Sequence, residues 1–305
     1  MSNFNIVFIG TSLFTIPSLN ILFNNFNISA VLTSININLK NKKKKSFLLK
    51  FFVKKKILIF QPKNFFNINL IKKLKKINTD INIIVAFKIL PKLIWSMPKL
   101  GTINLHPSLL PFYRGAAPIN WSIINGEKKT GITTFFLNNL IDFGFIVLQE
   151  KEVIKIKDNF NLLQNRLMIK GAKLILKTVE KIKKKKINLK KQFYLNKFFF
   201  KKAPKIFKNL CIINWNNNIN YIYNFIRGLY FYSFPYSIVN DKYYKILLVK
   251  KNYNNYNSLP VSSILSDGKN YLYIIAVGGI IDIDVLQISG KKSINIKKFF
   301  LGNNI

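Results

Sequence analysis

Asn104 and His106 are the side chains best suited to chemistry in this chain. His106 is the single histidine among 305 residues. It lies in Asn104-Leu105-His106-Pro107-Ser108-Leu109-Leu110-Pro111-Phe112-Tyr113-Arg114-Gly115-Ala116-Ala117-Pro118, a stretch unlike the Lys, Asn, Ile, Leu and Phe that dominate elsewhere. An amide donates a hydrogen bond without titrating, and an imidazole donates, accepts or moves a proton near neutral pH. Together they suit acyl transfer, where both could stabilise the oxyanion of a tetrahedral intermediate. Each has a blander reading alone: a satisfied structural histidine, and a turn or cap asparagine. A third residue shifts the balance. Leu140-Ile141-Asp142-Phe143-Gly144 carries an acid in a region poor in acids. A carboxylate there could hold the imidazole and take protons from an attacking amine; the blander reading is a local turn. Ser108 lies close by, but no Gly-x-Ser-x-Gly elbow surrounds it. Direct transfer to an amine is therefore expected, without a covalent enzyme intermediate. One His and one Cys leave no usual metal-ligand set, so no metal is expected.

The elements that must position these groups alternate in type. Asn5 to Gly10 is a short apolar run ending in Gly, as in a buried parallel strand. A helix follows near Pro17 to Leu22. Strands are expected at Ile28 to Thr33, Ile57 to Pro62, Ile81 to Phe87 and Ile103 to His106, with a helix at Phe66 to Lys76. This alternation predicts an α/β domain with a mostly parallel sheet. Sites on such sheets lie at the carboxyl ends of strands, where Asn104 and His106 fall, two apart and so on one side. A long helix is expected over Asp158 to Ile182, with Asp158 as its cap and Gly171 as a weak spot. A Lys-rich linker follows, and then a helix near Ile219 to Leu229. Strand-like runs punctuated by Asp267-Gly268, Gly278-Gly279 and Ser289-Gly290 suggest a small β-barrel. The expected division is a catalytic domain at 1–182, a linker at 183–207 and a barrel domain at 208–305.

Composition sets the surroundings. Forty-nine basic residues against 11 acidic ones give a net charge of +38. That charge suggests nucleic acid as a partner. The joint excess of Lys, Asn, Ile and Phe has a second source in A/T-rich codons, so clustered charge is more informative than the total. A lone cysteine, Cys211, points to a reducing compartment and reads as a core residue. No basic leader opens the chain and no uninterrupted apolar run is long enough to span a bilayer, so a cytoplasmic, non-membrane protein is expected, acting as a monomer.

Ser108-Leu109-Leu110-Pro111-Phe112-Tyr113-Arg114-Gly115-Ala116-Ala117-Pro118-Ile119 resembles the signature SLLPxxRGAAPI of the 10-formyltetrahydrofolate-dependent formyltransferase family. Asn104, His106 and Asp142 match that family's Asn, His and Asp. Phe8 to Thr11, Gly126 to Thr133, Ile213-Asn214-Trp215 and Phe234-Pro235 resemble further segments. The resemblance implies a Rossmann-like formyltransferase domain joined to an OB-like barrel. It implies that the α-amino group of methionyl initiator tRNA attacks the formyl carbon of 10-formyltetrahydrofolate. Asn104 and His106 would stabilise the oxyanion, and Asp142 would orient His106 and help remove the amine proton. The folate would lie against Phe87, Lys88, Ile89 and Leu90, against Ser108, Leu109, Leu110 and Pro111, and against the loop before Asp142.

The chain departs from the family pattern in places. Phe87-Lys88 stands where Tyr-Gly is usual, and the Lys88 side chain is expected to point outward. His106-Pro107-Ser108 is the form of the related glycinamide ribonucleotide formyltransferases, and Phe143 replaces a Thr. The tRNA-facing loop keeps its charge as Lys40, Lys42, Lys43, Lys44 and Lys45 but lacks the arginines, which predicts a looser, salt-dependent contact. A solvated charge run is the competing reading. Formyl transfer to glycinamide ribonucleotide or an amino sugar is the alternative enzyme reading. A non-catalytic RNA-binding protein is the alternative outside enzymes.

Overall fold

The structure is a computed structural model, and it describes residues 4–33, 57–193, 200–253 and 259–302. The chain divides into two compact units. One holds 1–114, 131–152 and 164–201; the other holds 115–130, 153–163 and 202–305. The units interleave along the sequence, whereas the division expected from sequence is contiguous.

In the first unit, strands β1 (Asn5–Gly10), β2 (Asn27–Leu32), β3 (Leu58–Phe60), β4 (Ile81–Val85), β5 (Thr102–His106), β6 (Lys129–Phe136) and β7 (Ile146–Val153) form one sheet in the order β3-β2-β1-β4-β5-β6-β7. Pairing from β3 through β5 is parallel, and β6 joins β5 antiparallel. The mostly parallel α/β class expected from the alternation is the one observed. Strands β6 and β7 are additions that the sequence pattern does not separate out. In β1, Ile6, Val7, Phe8 and Ile9 are all buried, because this strand is covered on both faces. Strand order reverses between β1 and β4, which makes the carboxyl ends of those strands the place for a ligand.

Helix α1 (Ile16–Asn25) follows β1. Helix α2 (Ile68–Lys76) starts at Asn67, whose side chain accepts from the Leu70 N–H, and ends in Lys73, Lys75 and Lys76. The cap meets an orphan donor and the lysines complement the negative end of the helix dipole. Leu70 and Leu74 from α2, with Ile94 from the short helix α3 (Lys92–Trp95), pack with Val7, Ile9, Leu32 and Ile84 of the sheet. The long helix α5 (Phe160–Lys183) begins two residues later than expected. Its capping side chain is Asn159, which accepts from the Leu162 N–H. Asp158 is not the cap: its carboxylate turns back to accept from the Lys155 N–H. Gly171 is no weak spot either. A Cβ there would meet Ile132 and Leu105, so the glycine lets the helix lie close on the sheet.

The second unit contains helix α4 (Pro118–Ile124), helix α6 (Ile219–Leu229) and an antiparallel curled sheet in the order β10-β11-β12-β9-β8. These strands are β8 (Tyr236–Val239), β9 (Lys242–Asn252), β10 (Ile264–Ser266), β11 (Leu272–Ala276) and β12 (Gly279–Ile288). Irregular register around Ile283 to Leu286 bends β12 against β9. Ile219, Ile222 and Ile226 recur on one face of α6 and join Ile246, Ile281, Leu286 and Phe299 in one core. The neighbouring face packs on α4, where the Asn120 amide donates to the Gly228 carbonyl at 2.8 Å.

Candidate active site

β5 ends at His106, so Asn104 and His106 project from the same side of its last turn of pleat. Their backbone is held from both sides. Asn104 pairs with Ile84 of β4 and Phe135 of β6, and His106 pairs with Thr133 of β6. Asn104 is half-buried. Among the described residues nothing hydrogen-bonds its side-chain amide, which leaves that donor for a bound molecule.

His106 is held more tightly. Its Nε2 lies 2.9 Å from the Tyr113 carbonyl oxygen. A carbonyl only accepts, so this contact places the proton on Nε2. Nδ1 then faces Asp142, with Oδ2 at 3.8 Å and side-chain exposures of 5% for His106 and 13% for Asp142. That separation is an ion-pair distance for a protonated ring and is too long for a hydrogen bond. The imidazole is therefore oriented by a main-chain carbonyl, while the carboxylate sits beside the other nitrogen. The resemblance assigns the orienting role to Asp142, and no sequence signal points to a carbonyl. Tyr113 and Asp142 both have left-handed backbones, with φ of 59° and 51°. Such conformations cost on the order of 1 kcal/mol each and persist where surroundings enforce them.

Two networks hold the loops that carry them. The first centres on Thr133, fully buried on β6. Its hydroxyl donates to the Ser108 carbonyl at 2.6 Å and accepts from the Leu110 N–H at 3.2 Å. The Gln149 amide of β7 donates to the same hydroxyl at 3.0 Å and to the Leu110 carbonyl at 2.8 Å. The Ser108 hydroxyl, also fully buried, donates to the Phe112 carbonyl at 2.7 Å. Ser108 thus shapes the loop from within, and its hydroxyl is already committed. Leu110 is buried, and Leu109 and Pro111 are half-buried. The second network runs through Gln192, whose amide donates to the Asp142 carbonyl. Thr133 stands in a segment that resembles the family, but nothing in the sequence marks Gln149 or Gln192.

The other expected site residues divide. Phe87 is half-buried and Leu90 buried, just beyond β4, while Ile89 is 78% exposed. Lys88 is exposed and carries its ammonium over the Phe65 ring, 4.8 Å from the ring centre. Lys40, Lys42, Lys43, Lys44 and Lys45 lie outside the described residues. Among the described residues no three of His, Cys, Asp and Glu gather as a metal site, and no helix is long and apolar enough to cross a membrane.

The chain matches the formyl transferase family model over residues 24–179 and the formyl transferase C-terminal domain model over 205–304. It belongs to the formyl transferase family. The methionyl-tRNA formyltransferase of Azobacteroides pseudotrichonymphae genomovar. CFP2 is 40% identical over 321 residues, covering 99% of this chain and 97% of the relative. That of Thermodesulfovibrio yellowstonii is 38% identical over 307 residues, covering 98% and 96%. Among solved structures, the sugar 3N-formyl transferase WlaRD superposes with a TM-score of 0.69 at 22% identity, over 96% of this chain and 100% of that one. The N-formyltransferase from Helicobacter canadensis gives 0.70 at 21%, over 91% and 97%. At such identities the likeness is one of fold.

The chain is a formyl-transferring enzyme, and its formyl donor is 10-formyltetrahydrofolate. The residues at the strand ends fit such a donor. Ile89 follows β4, Phe112 follows β5, and Leu140 and Ile141 immediately precede Asp142; all four are apolar and exposed. Such side chains are of the type that an apolar ring system covers, and among the described residues the Asn104 side-chain amide has no hydrogen-bond partner.

Proposed function

We propose that this enzyme transfers the formyl group of 10-formyltetrahydrofolate to the α-amino group of methionyl initiator tRNA, as the start of translation requires. The observation that carries the reading is the set at the end of β5. It comprises an amide at Asn104 that has no hydrogen-bond partner among the described residues, an imidazole oriented through Nε2 at His106, and a carboxylate beside Nδ1 at Asp142. The near-complete match to methionyl-tRNA formyltransferases supports tRNA as the acceptor.

The residues would act as follows. The unprotonated amine is the nucleophile, and its ordinary pKa of about 7.7–8.0 leaves that form accessible at neutral pH. As it attacks, negative charge builds on the formyl oxygen. Asn104 donates its amide N–H to that oxygen, and His106 donates from Nδ1 when the ring is protonated. Asp142 accepts the proton that the amine loses; as the tetrahedral carbon collapses, the formyl C–N10 bond breaks and the N10 nitrogen takes up a proton, so that tetrahydrofolate leaves as the neutral amine. The folate ring would lie against Phe87 to Leu90, the Ser108 to Pro111 loop and the residues before Asp142. Lys40 and Lys42 to Lys45 would meet phosphates near the tRNA acceptor end. The proposed division keeps a catalytic part within 1–182 and a barrel part at 208–305; of the stretch expected as a linker at 183–207, residues up to Lys201 go with the first unit, and the protein is taken as a cytoplasmic monomer. Gel filtration at a mass well above 35.5 kDa would overturn the monomer.

The test is a transfer assay with charged initiator tRNA as acceptor and glycinamide ribonucleotide and an amino sugar as competitors. Formylation of the tRNA alone is expected. Formylation of the nucleotide or the sugar without the tRNA would reverse the acceptor. Asp142→Asn should lower turnover by about 10²–10⁴-fold with tRNA affinity kept. Unchanged turnover would remove Asp142 from the mechanism.

A further inference from the structure

Gln192 falls in the stretch that reads from sequence as a linker, yet it is only 3% exposed. The chain around it is built into the first unit. Lys190 and Ile146 exchange both main-chain hydrogen bonds, at 2.8 and 2.9 Å. That pairing brings Gln192 against the loop that carries Asp142. Its amide nitrogen donates to the Asp142 carbonyl at 3.2 Å and to the Gly144 carbonyl at 2.8 Å. Its amide oxygen accepts from Arg114 Nε at 3.1 Å and from the terminal guanidinium nitrogen at 2.7 Å.

Every hydrogen-bonding position of the amide that this geometry can use is occupied. The orientation is also forced. Carbonyls face one end and a guanidinium faces the other, so a flipped amide would oppose like to like at both ends. A glutamate would present an acceptor to two carbonyls, and an asparagine would fall short. Arg114 is fixed in turn, with its guanidinium 4.3 Å from the Phe143 ring centre and 5.9 Å from that of Phe200. The Phe143 ring therefore serves as a platform for Arg114. Gly144 completes the geometry, since a Cβ there would overlap the Phe136 carbonyl oxygen.

We infer that Gln192 is a positioning residue for the reaction: with Arg114 it clamps the 142–144 loop and so sets the Asp142 carboxylate beside His106. The inference rests on the reading of Asp142 as a group that acts at the reacting atoms. Its physical basis is that Asp142 holds a left-handed backbone. Hydrogen bonds to its own carbonyl and to the carbonyl two residues on limit its freedom to relax. A misplacement of about 1 Å at a reacting group costs on the order of 100-fold in rate.

The test uses the full chain with Gln192→Met, which keeps length and apolar packing and removes the amide's hydrogen bonds, and Gln192→Glu, which keeps the acceptor for Arg114 and removes the donors to the loop. Both variants and Asp142→Asn are assayed for kcat, for KM of each substrate and for the pH profile of kcat. Expected for both Gln192 variants is a kcat lower by about 10–100-fold, with KM values within about threefold and the inflections of the pH profile displaced. A variant that merely reduced the folded fraction would scale kcat equally at every pH. If Gln192→Glu does not fold, Gln192→Met carries the same expectation. A kcat within about twofold of the parent, or a rise in KM alone, would overturn the clamp while a slow Asp142→Asn kept the active-site reading intact. A normal Asp142→Asn would overturn both.

Discussion

Thr133→Val tests whether the loop behind His106 is held by one hydroxyl. Valine has nearly the shape of threonine, so no cavity forms and the packing is kept. What disappears is the hydroxyl that donates to the Ser108 carbonyl at 2.6 Å and accepts from the Leu110 N–H at 3.2 Å. Gln149 loses its bond to Thr133 but keeps the one to the Leu110 carbonyl. Two buried main-chain groups are therefore orphaned. Each costs about 1–3 kcal/mol when left without a partner, so the change should destabilise by about 2–6 kcal/mol. That is a large share of the roughly 5–15 kcal/mol that a folded domain has. Thr133→Ser keeps the hydroxyl and removes one methyl, for about 1 kcal/mol. Urea unfolding of the parent and both variants measures the difference, and KM for the formyl donor reports on the Ser108 to Pro111 loop. The serine variant should stay close to the parent in both stability and KM. The valine variant should be less stable and should show a raised KM. A valine variant as stable as the serine one, with an unchanged KM, would refute the assignment of Thr133 as the loop's anchor.

Glu152 offers a pH test. Partial burial pushes its carboxyl up, but hydrogen bonds from Lys170 and Arg166 outweigh this and bring it below its ordinary 4.5. Its stabilisation is thus present above 4.5 and is lost as pH falls through the lower folded-state value. Glu152→Gln should be less stable than the parent at neutral pH, and the gap should close on acidification; a gap that is constant with pH would contradict the pairing. Burial also raises the Cys211 thiol above its usual range, and the residue is fully buried. A thiol reagent should label it only as the protein unfolds, and rapid labelling of the native chain would argue against that burial. Affinity for tRNA should fall steeply with salt, and alanines at Lys42 to Lys45 should reduce the log–log slope by about 0.7–0.9 for each phosphate that is no longer neutralised. A slope that the alanines leave unchanged would free those lysines from the interface.

The sequence alone carried the class of fold, because strand and helix periods leave their mark within a few residues. It also singled out Asn104, His106 and Asp142, because amide, imidazole and carboxylate form an unusual set against this lysine- and isoleucine-rich background. Local rules failed at particular places. Asp158 and Asn159 both suit a helix cap, and only the fold decided that Asn159 takes the role while Asp158 turns back to Lys155. Gly171 reads as a defect because propensity knows nothing of Leu105 and Ile132 across the interface. The orientation of His106 depends on the Tyr113 carbonyl, and main-chain carbonyls are the same in every sequence. Gln192 lies 50 residues from Asp142 and 78 from Arg114. No local pattern links such distant positions, and a buried amide is written with the same letter as a solvated one. The chemistry was therefore legible as a set of residue types. The way those groups are held became visible only once the chain had closed on itself, because the holding is done by long-range hydrogen bonds to backbone.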